Sequence, residues 1–298
     1  MLDAVIEARP PIVLEGVELV AEGLVFPEGP IVMPDGSVLV TEMRRGTLTR
    51  IVDGRAEVVA ECGVGANGAA VGPDGAVYVC NNGGYGDEYR GGAIQVVDPG
   101  TGSVELLYTE CGGHRLAGPN DLVFDDDGAF WFTDTGKFRA RDRDRGGIYY
   151  ATTDGATIRE AAYPVDAPNG IGLAPDGSAI YYAETLTGRL YRRAVTGRGE
   201  LEPAAEHDPS KLLCGLPGLQ MFDSLAVDDA GNVCVATLFS SCVTVVAPDG
   251  AWMRQLVLAE PFHDPMVTNV CFTPDGATVY ITLSDTGRVV RCPWPPLA

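Results

Sequence analysis

Hydrophobic and polar residues alternate along this chain in short bursts that stop at glycine. The stretches VLVTE, VYVC, FWFTD, IYYAE and VYIT carry β-branched and aromatic side chains with a period of two, and no long stretch keeps a period near 3.6. Each burst follows a turn of the PDG type. In full, the copies read FPEGPIVMPDGSVLVTE, ANGAAVGPDGAVYVCNN, PNDLVFDDDGAFWFTDT, PNGIGLAPDGSAIYYAET, FDSLAVDDAGNVCVATL and VTNVCFTPDGATVYITL. The pattern predicts strand, tight turn, strand, six times over.

Aligning the copies on their turn glycines, Gly36, Gly75, Gly128, Gly177, Gly231 and Gly276, and counting eight residues back gives Glu28, Asn67, Asn120, Asn169, Asp223 and Thr268. All six side chains carry oxygen. They are 39, 53, 49, 54 and 45 residues apart, each interval long enough for four strands of about 5–6 residues with their turns. A tandem series of four-stranded sheets packs radially, so the prediction is all-β: a six-bladed β-propeller filling 1–298 as one domain. The last copy is followed by a single strand's worth of chain, Gly287 to Cys292. The alternating N-terminal stretch Ile12 to Val20 is therefore expected to complete blade six and close the ring by pairing the two chain ends. The proline-rich segment Pro203 to Leu219 reads as an irregular connection.

In such a ring the six column residues lie on equivalent inner strands and meet at one end of the axis. Two carboxylates brought to about 4 Å repel by roughly 4 kcal/mol at an effective dielectric of 20, which calls for a shared proton or a cation. Glu28 and Asp223 with the amide oxygens of Asn169 and Asn120 make a hard, all-oxygen set. That set suits Ca²⁺ first and Mg²⁺ or Mn²⁺ next, and disfavours Zn²⁺, since the column holds no His or Cys. Four protein ligands leave room for water and substrate, and such an open metal polarises a carbonyl or phosphoryl oxygen.

Composition narrows the alternatives. With 41 acidic against 21 basic residues the formal net charge is −20, which repels nucleic acid and anionic membranes. The N-terminal residues MLDAVIEARPP lack the charged and apolar regions of a secretory signal, which predicts a cytoplasmic protein. Eight cysteines show no metal-binding spacing and read as buried thiols, with one or two disulfides only if the chain is exported. Gly63, Gly65 and Gly68 spell GxGxxG, but a strand follows instead of a helix, so no pyrophosphate site is expected. The histidines His114, His207 and His263 form no HExxH, and no GxSxG elbow occurs. Tyr85, Asp87, Glu88 and Tyr89, in a glycine-flanked insertion of blade two, are candidates for a lid or a solvated loop.

FPEGP around Glu28, PND at Pro119 to Asp121, PNGIGLAPDG around Asn169 and DSLAVDDAGNV from Asp223 occur in order, each at the same phase of its blade. From about Leu19 to Val290 the chain thereby resembles the gluconolactonase, senescence-marker-protein (regucalcin) and luciferin-regenerating-enzyme family. The resemblance implies a six-bladed propeller with one catalytic divalent cation on its axis and hydrolysis of a small lactone, such as a sugar lactone. It implies Glu28, Asn169 and Asp223 as metal ligands, Asp223 also as general base, and Asn120 between metal and substrate; Asn67 and Thr268 complete the expected substrate contacts. The chain departs from regucalcin-like members at Gly118, where they carry Arg, and from a related phosphotriesterase group in lacking a His in the last blade. Phosphotriester or aryl-ester hydrolysis on the same metal, and a calcium-binding propeller without catalysis, are the competing readings.

Overall fold

The computed structural model describes residues 6–206 and 208–297; the first five residues and His207 lie outside it. Six antiparallel sheets stand around one axis, each with its innermost strand at the start of a repeat. Blade one is built from Pro27–Val32, Val38–Glu42, Thr47–Val52 and Arg55–Glu61. The inner strands of blades two to six are Ala66–Val71, Pro119–Phe124, Pro168–Leu173, Met221–Val227 and Val267–Phe272. Among the described residues the helical elements are two single 3-10 turns, Gly86–Glu88 and Pro209–Lys211.

The turns form for local reasons. Asp35, Asp74, Asp176 and Asp275 each accept a hydrogen bond from the backbone N–H two residues on, at 2.9–3.1 Å. The glycine after each aspartate takes a positive φ, 81° at Gly36, which other residues adopt only with strain. Burial then follows the blade. Second strands such as Val38–Glu42 and Ala129–Asp134 are buried throughout, whereas the outer strand Arg55–Glu61 is mostly exposed. The core lies in layers between neighbouring blades: Trp131 and Tyr150 of blade three pack with Ile171, Ile180 and Tyr182 of blade four. Blades five and six share another layer containing Val243, Val245, Val279 and Ile281.

Closure uses the N-terminal segment, with a correction to its extent. Glu18–Ala21 pairs antiparallel with Arg288–Pro293 as the outer strand of blade six, Leu19 opposite Val290. Ile12–Val13, expected in the same blade, instead pairs in parallel with Trp252–Val257 of blade five, Ile12 opposite Leu256. Gly16, at φ 64°, lies between the two pairings. A second correction concerns blade four. Part of the segment expected to be irregular, Leu212–Gly215, is a strand that pairs with Arg189–Gly197 on the blade's outer side. The outer edge of that strand takes Glu200–Leu201 at its far end and the apolar run LLC at its start, although prolines flank LLC on either side.

The candidate axial metal centre

Every inner strand is irregular at the same place. Its pairing with the second strand breaks register beside the column, between Glu28 and Ile31, Ala66 and Ala69, Pro119 and Leu122, Pro168 and Ile171, Phe222 and Leu225, and Val267 and Asn269. A bulge re-aims the side chain at its position and locally ends the pairing. Repeated six times, it turns Glu28, Asn67, Asn120, Asn169, Asp223 and Thr268 to one end of the channel.

Close approach of the strands needs glycine next to the column. A Cβ on Gly68 would stand 2.5 Å from the Asn120 carbonyl and 2.6 Å from Asp121 Oδ1, and one on Gly170 would stand 2.7 Å from the Asp223 carbonyl. Hydrogen bonds then fix one blade to the next. Thr41 donates to the Asn67 carbonyl at 2.6 Å, Thr133 to the Asn169 carbonyl at 2.5 Å, and Ser284 to the Pro27 carbonyl at 2.5 Å. Buried acids at the ends of second strands hold the incoming loops: Glu42 accepts from Val25 N at 2.6 Å, and Asp134 from Ala117 N and Gly118 N at 2.7 Å each.

Four side-chain oxygens of the column are buried without any hydrogen-bond partner: Glu28 Oε2, Asn67 Oδ1, Asn120 Oδ1 and Asn169 Oδ1. Each such atom costs about 1–3 kcal/mol when left unpaired, so four at one place demand an explanation. Acid–base behaviour points the same way. Burial holds the Glu28 carboxyl well above its usual range, with Asp223 and then Asp121 adding repulsion. Burial likewise raises Asp223 to about 7, opposed by hydrogen bonding from Asn169 and aided by Asp121. These groups repel one another and point unpaired oxygens inward, the situation a hard divalent cation relieves. Among the described residues no three His, Cys, Asp or Glu side chains form a ligand group. The axial set therefore fits a cation only as two carboxylates completed by amides.

Thr268 behaves differently from the rest of the column. Its hydroxyl is fully buried and lies 2.5 Å from Ser284 Oγ, 2.9 Å from Thr282 Oγ1 and 3.3 Å from the Pro27 carbonyl. It ties blade six to blade one and also hydrogen-bonds the Glu28 carboxyl. Asp121, in contrast, is an axial acid that the eight-residue count passes over. It is buried, accepts from Leu122 N at 2.9 Å and from Ser224 and the backbone of Ile171 and Leu225, and burial raises it to about 7. The signal was present in the PND phrase, one residue beyond Asn120. Gly68 has no side chain, which leaves room for the Asp121 carboxylate, 2.6 Å from where a Cβ would stand.

The blade-two insertion does stand beside the centre. Tyr85 is 59% exposed overall, yet its hydroxyl is raised by desolvation and then by the charges of Asp223 and Glu28, and it lies 3.5 Å from Asn82 Nδ2. The Lys137 ammonium lies 4.5 Å from the Tyr85 ring centroid and donates to Asn82 Oδ1 at 3.2 Å and to the Gly84 carbonyl at 2.8 Å. All eight cysteines are free thiols. The three glycines of GxGxxG lead into a strand, as expected. No helix among the described residues is long and apolar enough to cross a membrane.

Fold and site together define a six-bladed propeller with an axial cluster of buried, oxygen-bearing side chains. The SMP-30/gluconolactonase/LRE-like region matches residues 26–285, and the chain belongs to that family. A gluconolactonase of Zymomonas mobilis is 28% identical, over 97% of this chain and 83% of its own. The diisopropyl-fluorophosphatase of Loligo vulgaris is 29% identical, over 70% and 67% respectively. Among solved structures, a gluconolactonase of Xanthomonas campestris superposes with a TM-score of 0.77 over 96% of this chain and 95% of its own; at 21% identity this likeness speaks for the fold.

Proposed function

We propose that this protein is a metal-dependent lactonase that opens a small lactone to the hydroxy acid. The observation that carries the reading is the group of four unpartnered buried oxygens beside Asp223, on a chain similar to a gluconolactonase over nearly its whole length. Glu28, Asn169 and Asp223, with Asn120, would hold one divalent cation, Ca²⁺ by the hardness of the donor set and Mg²⁺ or Mn²⁺ as alternatives. When bound, the cation supplies Lewis-acid polarisation of the lactone carbonyl.

The chain's own residues do the rest. Asp223 would take a proton from the attacking water, as the carboxylate of the set assigned the role of general base. The amide groups of Asn120 and Asn67 would orient the lactone over it, and Glu28 would supply the second negative charge of the set. The likeness to the Loligo phosphatase favours phosphotriesters as a second substrate class, since a polarised P=O presents the same kind of oxygen.

A pair of variants separates base from ligand. Asp223→Asn keeps a carbonyl oxygen but removes the proton acceptor, so kcat on a lactone is expected to fall about 10²-fold or more even at saturating calcium. Glu28→Gln makes the same charge change without touching a proton-transfer group, so its defect is expected in metal affinity and recovers as calcium is raised. Equal recovery of both variants would reduce Asp223 to a ligand. Full activity of the native protein in chelator, with no stoichiometric divalent ion bound, would remove the metal reading altogether.

A further inference from the structure

The second strand of each blade runs back to the axial end, so the residues that follow it stand beside the column. In blade two Ala66, next to Asn67, pairs with Asn81, and in blade three Pro119, next to Asn120, pairs with Asp134. Asn82 therefore opens the blade-two insertion at this end, and Thr135, Gly136 and Lys137 leave blade three at the same end. Contacts with the chain just before the column fix their level. Asn82 N donates to the Gly65 carbonyl at 2.8 Å, and a Cβ on Gly65 would stand 2.6 Å from Asn82 Oδ1. The Thr135 hydroxyl donates at 2.7 Å to the carbonyl of Pro168, the neighbour of Asn169, and a Cβ on Gly118 would stand 2.7 Å from the Gly136 carbonyl.

From there the Lys137 side chain reaches across to blade two. Its ammonium donates to Asn82 Oδ1 at 3.2 Å and to the Gly84 carbonyl at 2.8 Å, and both side chains are buried. The same ammonium lies 4.5 Å from the ring centroid of Tyr85 and 5.2 Å from that of Tyr89, whose hydroxyl donates to the Ala117 carbonyl at 3.0 Å. Blade three thus holds the insertion at both tyrosines, and a cation removed from water strengthens such contacts with aromatic faces.

One group of this arrangement is left unused. The Tyr85 hydroxyl has a single partner among the described residues, Asn82 Nδ2 at 3.5 Å. That nitrogen is a donor, so the phenol oxygen can only accept from it, at the outer limit of a hydrogen bond, and the phenol's own proton has no acceptor there. Asn82 Nδ2 also lies 3.6 Å from Met43 Sδ, and Met43 N donates to the carbonyl of Phe26, two residues before Glu28. The hydroxyl therefore stands one amide group away from the chain segments that lead into Glu28 and Asn67. The charges of Asp223 and Glu28 reach it as well.

We propose that Tyr85 is a substrate-binding residue of the axial site, its hydroxyl donating a hydrogen bond to an oxygen of the bound lactone, and that Lys137 is a positioning residue that holds it there. The inference rests on the lactonase reading and adds a contact to that same site. Beyond the carbonyl oxygen, a lactone offers its ring oxygen and, in a sugar lactone, its hydroxyls as acceptors. A tyrosine that served only to cover the ammonium would need its ring alone, which phenylalanine keeps.

The test is Tyr85→Phe on the calcium-loaded protein, with kcat/KM measured for δ-valerolactone and D-glucono-δ-lactone and calorimetric binding of their products, 5-hydroxypentanoate and gluconate. The variant is expected to lose about 5–10-fold in kcat/KM with calcium affinity unchanged. A loss that includes δ-valerolactone assigns the contact to the ring oxygen, and a loss on the sugar lactone alone assigns it to a hydroxyl. Lys137→Met, checked for native circular dichroism, is expected to lose a similar factor, but no more than about 2-fold once Tyr85 is already Phe, since it acts through that hydroxyl. An unchanged kcat/KM in Tyr85→Phe would overturn the inference and leave the lactonase standing. An equal loss from Lys137→Met with and without the Tyr85 hydroxyl would overturn the positioning role. If the native protein hydrolyses neither lactone, the lactonase reading fails; weaker product binding by Tyr85→Phe would still support the contact, and equal or absent binding would overturn it.

Discussion

Removing divalent cations is expected to make the stability of this protein fall as pH rises from 5 to 8. Asp121 and Asp223 are each raised to about 7 by burial, and burial also holds Glu28 well above its usual range. In the unfolded chain an aspartate titrates near 3.9, so between about pH 4 and 7 the native state holds protons that the unfolded state has released. Stability from these groups is therefore complete below about pH 4 and is lost as pH climbs through 7. A shift of three units corresponds to roughly 4 kcal/mol per group, of which about 3 kcal/mol is lost between pH 5 and 8. At about 2–4 °C per kcal/mol for a chain approaching this size, one such group lowers Tm by about 10 °C. The groups interact, so their effects do not simply add. A bound cation reverses the trend: its affinity rises as the carboxylates deprotonate, and at a hundred times its Kd it returns about 2.7 kcal/mol. The assay is thermal unfolding across pH 5–8 in chelator and in excess calcium, on the native chain and on Asp223→Asn. The native slope in chelator should be steep and negative, shallower in Asp223→Asn, and near zero with calcium. A flat native curve in chelator would refute the reasoning. So would an equal slope in the variant, which would assign the effect to the surface charge of a chain with net charge −20.

Two further expectations concern the ring. Gly68→Ala drives a methyl group into the Asn120 carbonyl and Asp121, so it should cost about 1–3 kcal/mol and weaken calcium binding, read by melting with and without calcium; an unchanged Tm would show that the strands do not approach as described. Deletion through Ala21 strips the outer strand from Arg288–Pro293 and exposes an edge, so Tm should drop and aggregation on heating should increase; an unaltered melting curve would mean that closure contributes nothing.

The blades, their number and the axial column were legible in the sequence because each depends on short-range rules. A PDG turn needs its aspartate and glycine within three residues, and a strand declares itself by alternation over five or six. Counting from the turn therefore located Glu28, Asn67, Asn120, Asn169 and Asp223 without any knowledge of distant contacts. What only the tertiary structure decided depends on neighbours remote in the chain. Ile12–Val13 pairs in parallel with the outer strand of blade five, while Glu18–Ala21 takes the edge of blade six. Leu212–Gly215 became a strand because blade four offered an unpaired edge, not because LLCG alternates. Thr268 shares its column with free ligands, yet Ser284, Thr282 and Pro27 surround its hydroxyl. Asp121 follows a column residue and would be expected to turn away from the axis, but the bulge of its own strand and the missing side chain of Gly68 leave it room, and it accepts from Ser224 and Leu225 of blade five. The positive φ of Phe26 and Phe239 is set by the loops that Glu42 and Pro265 hold in place, through hydrogen bonds that no local pattern encodes.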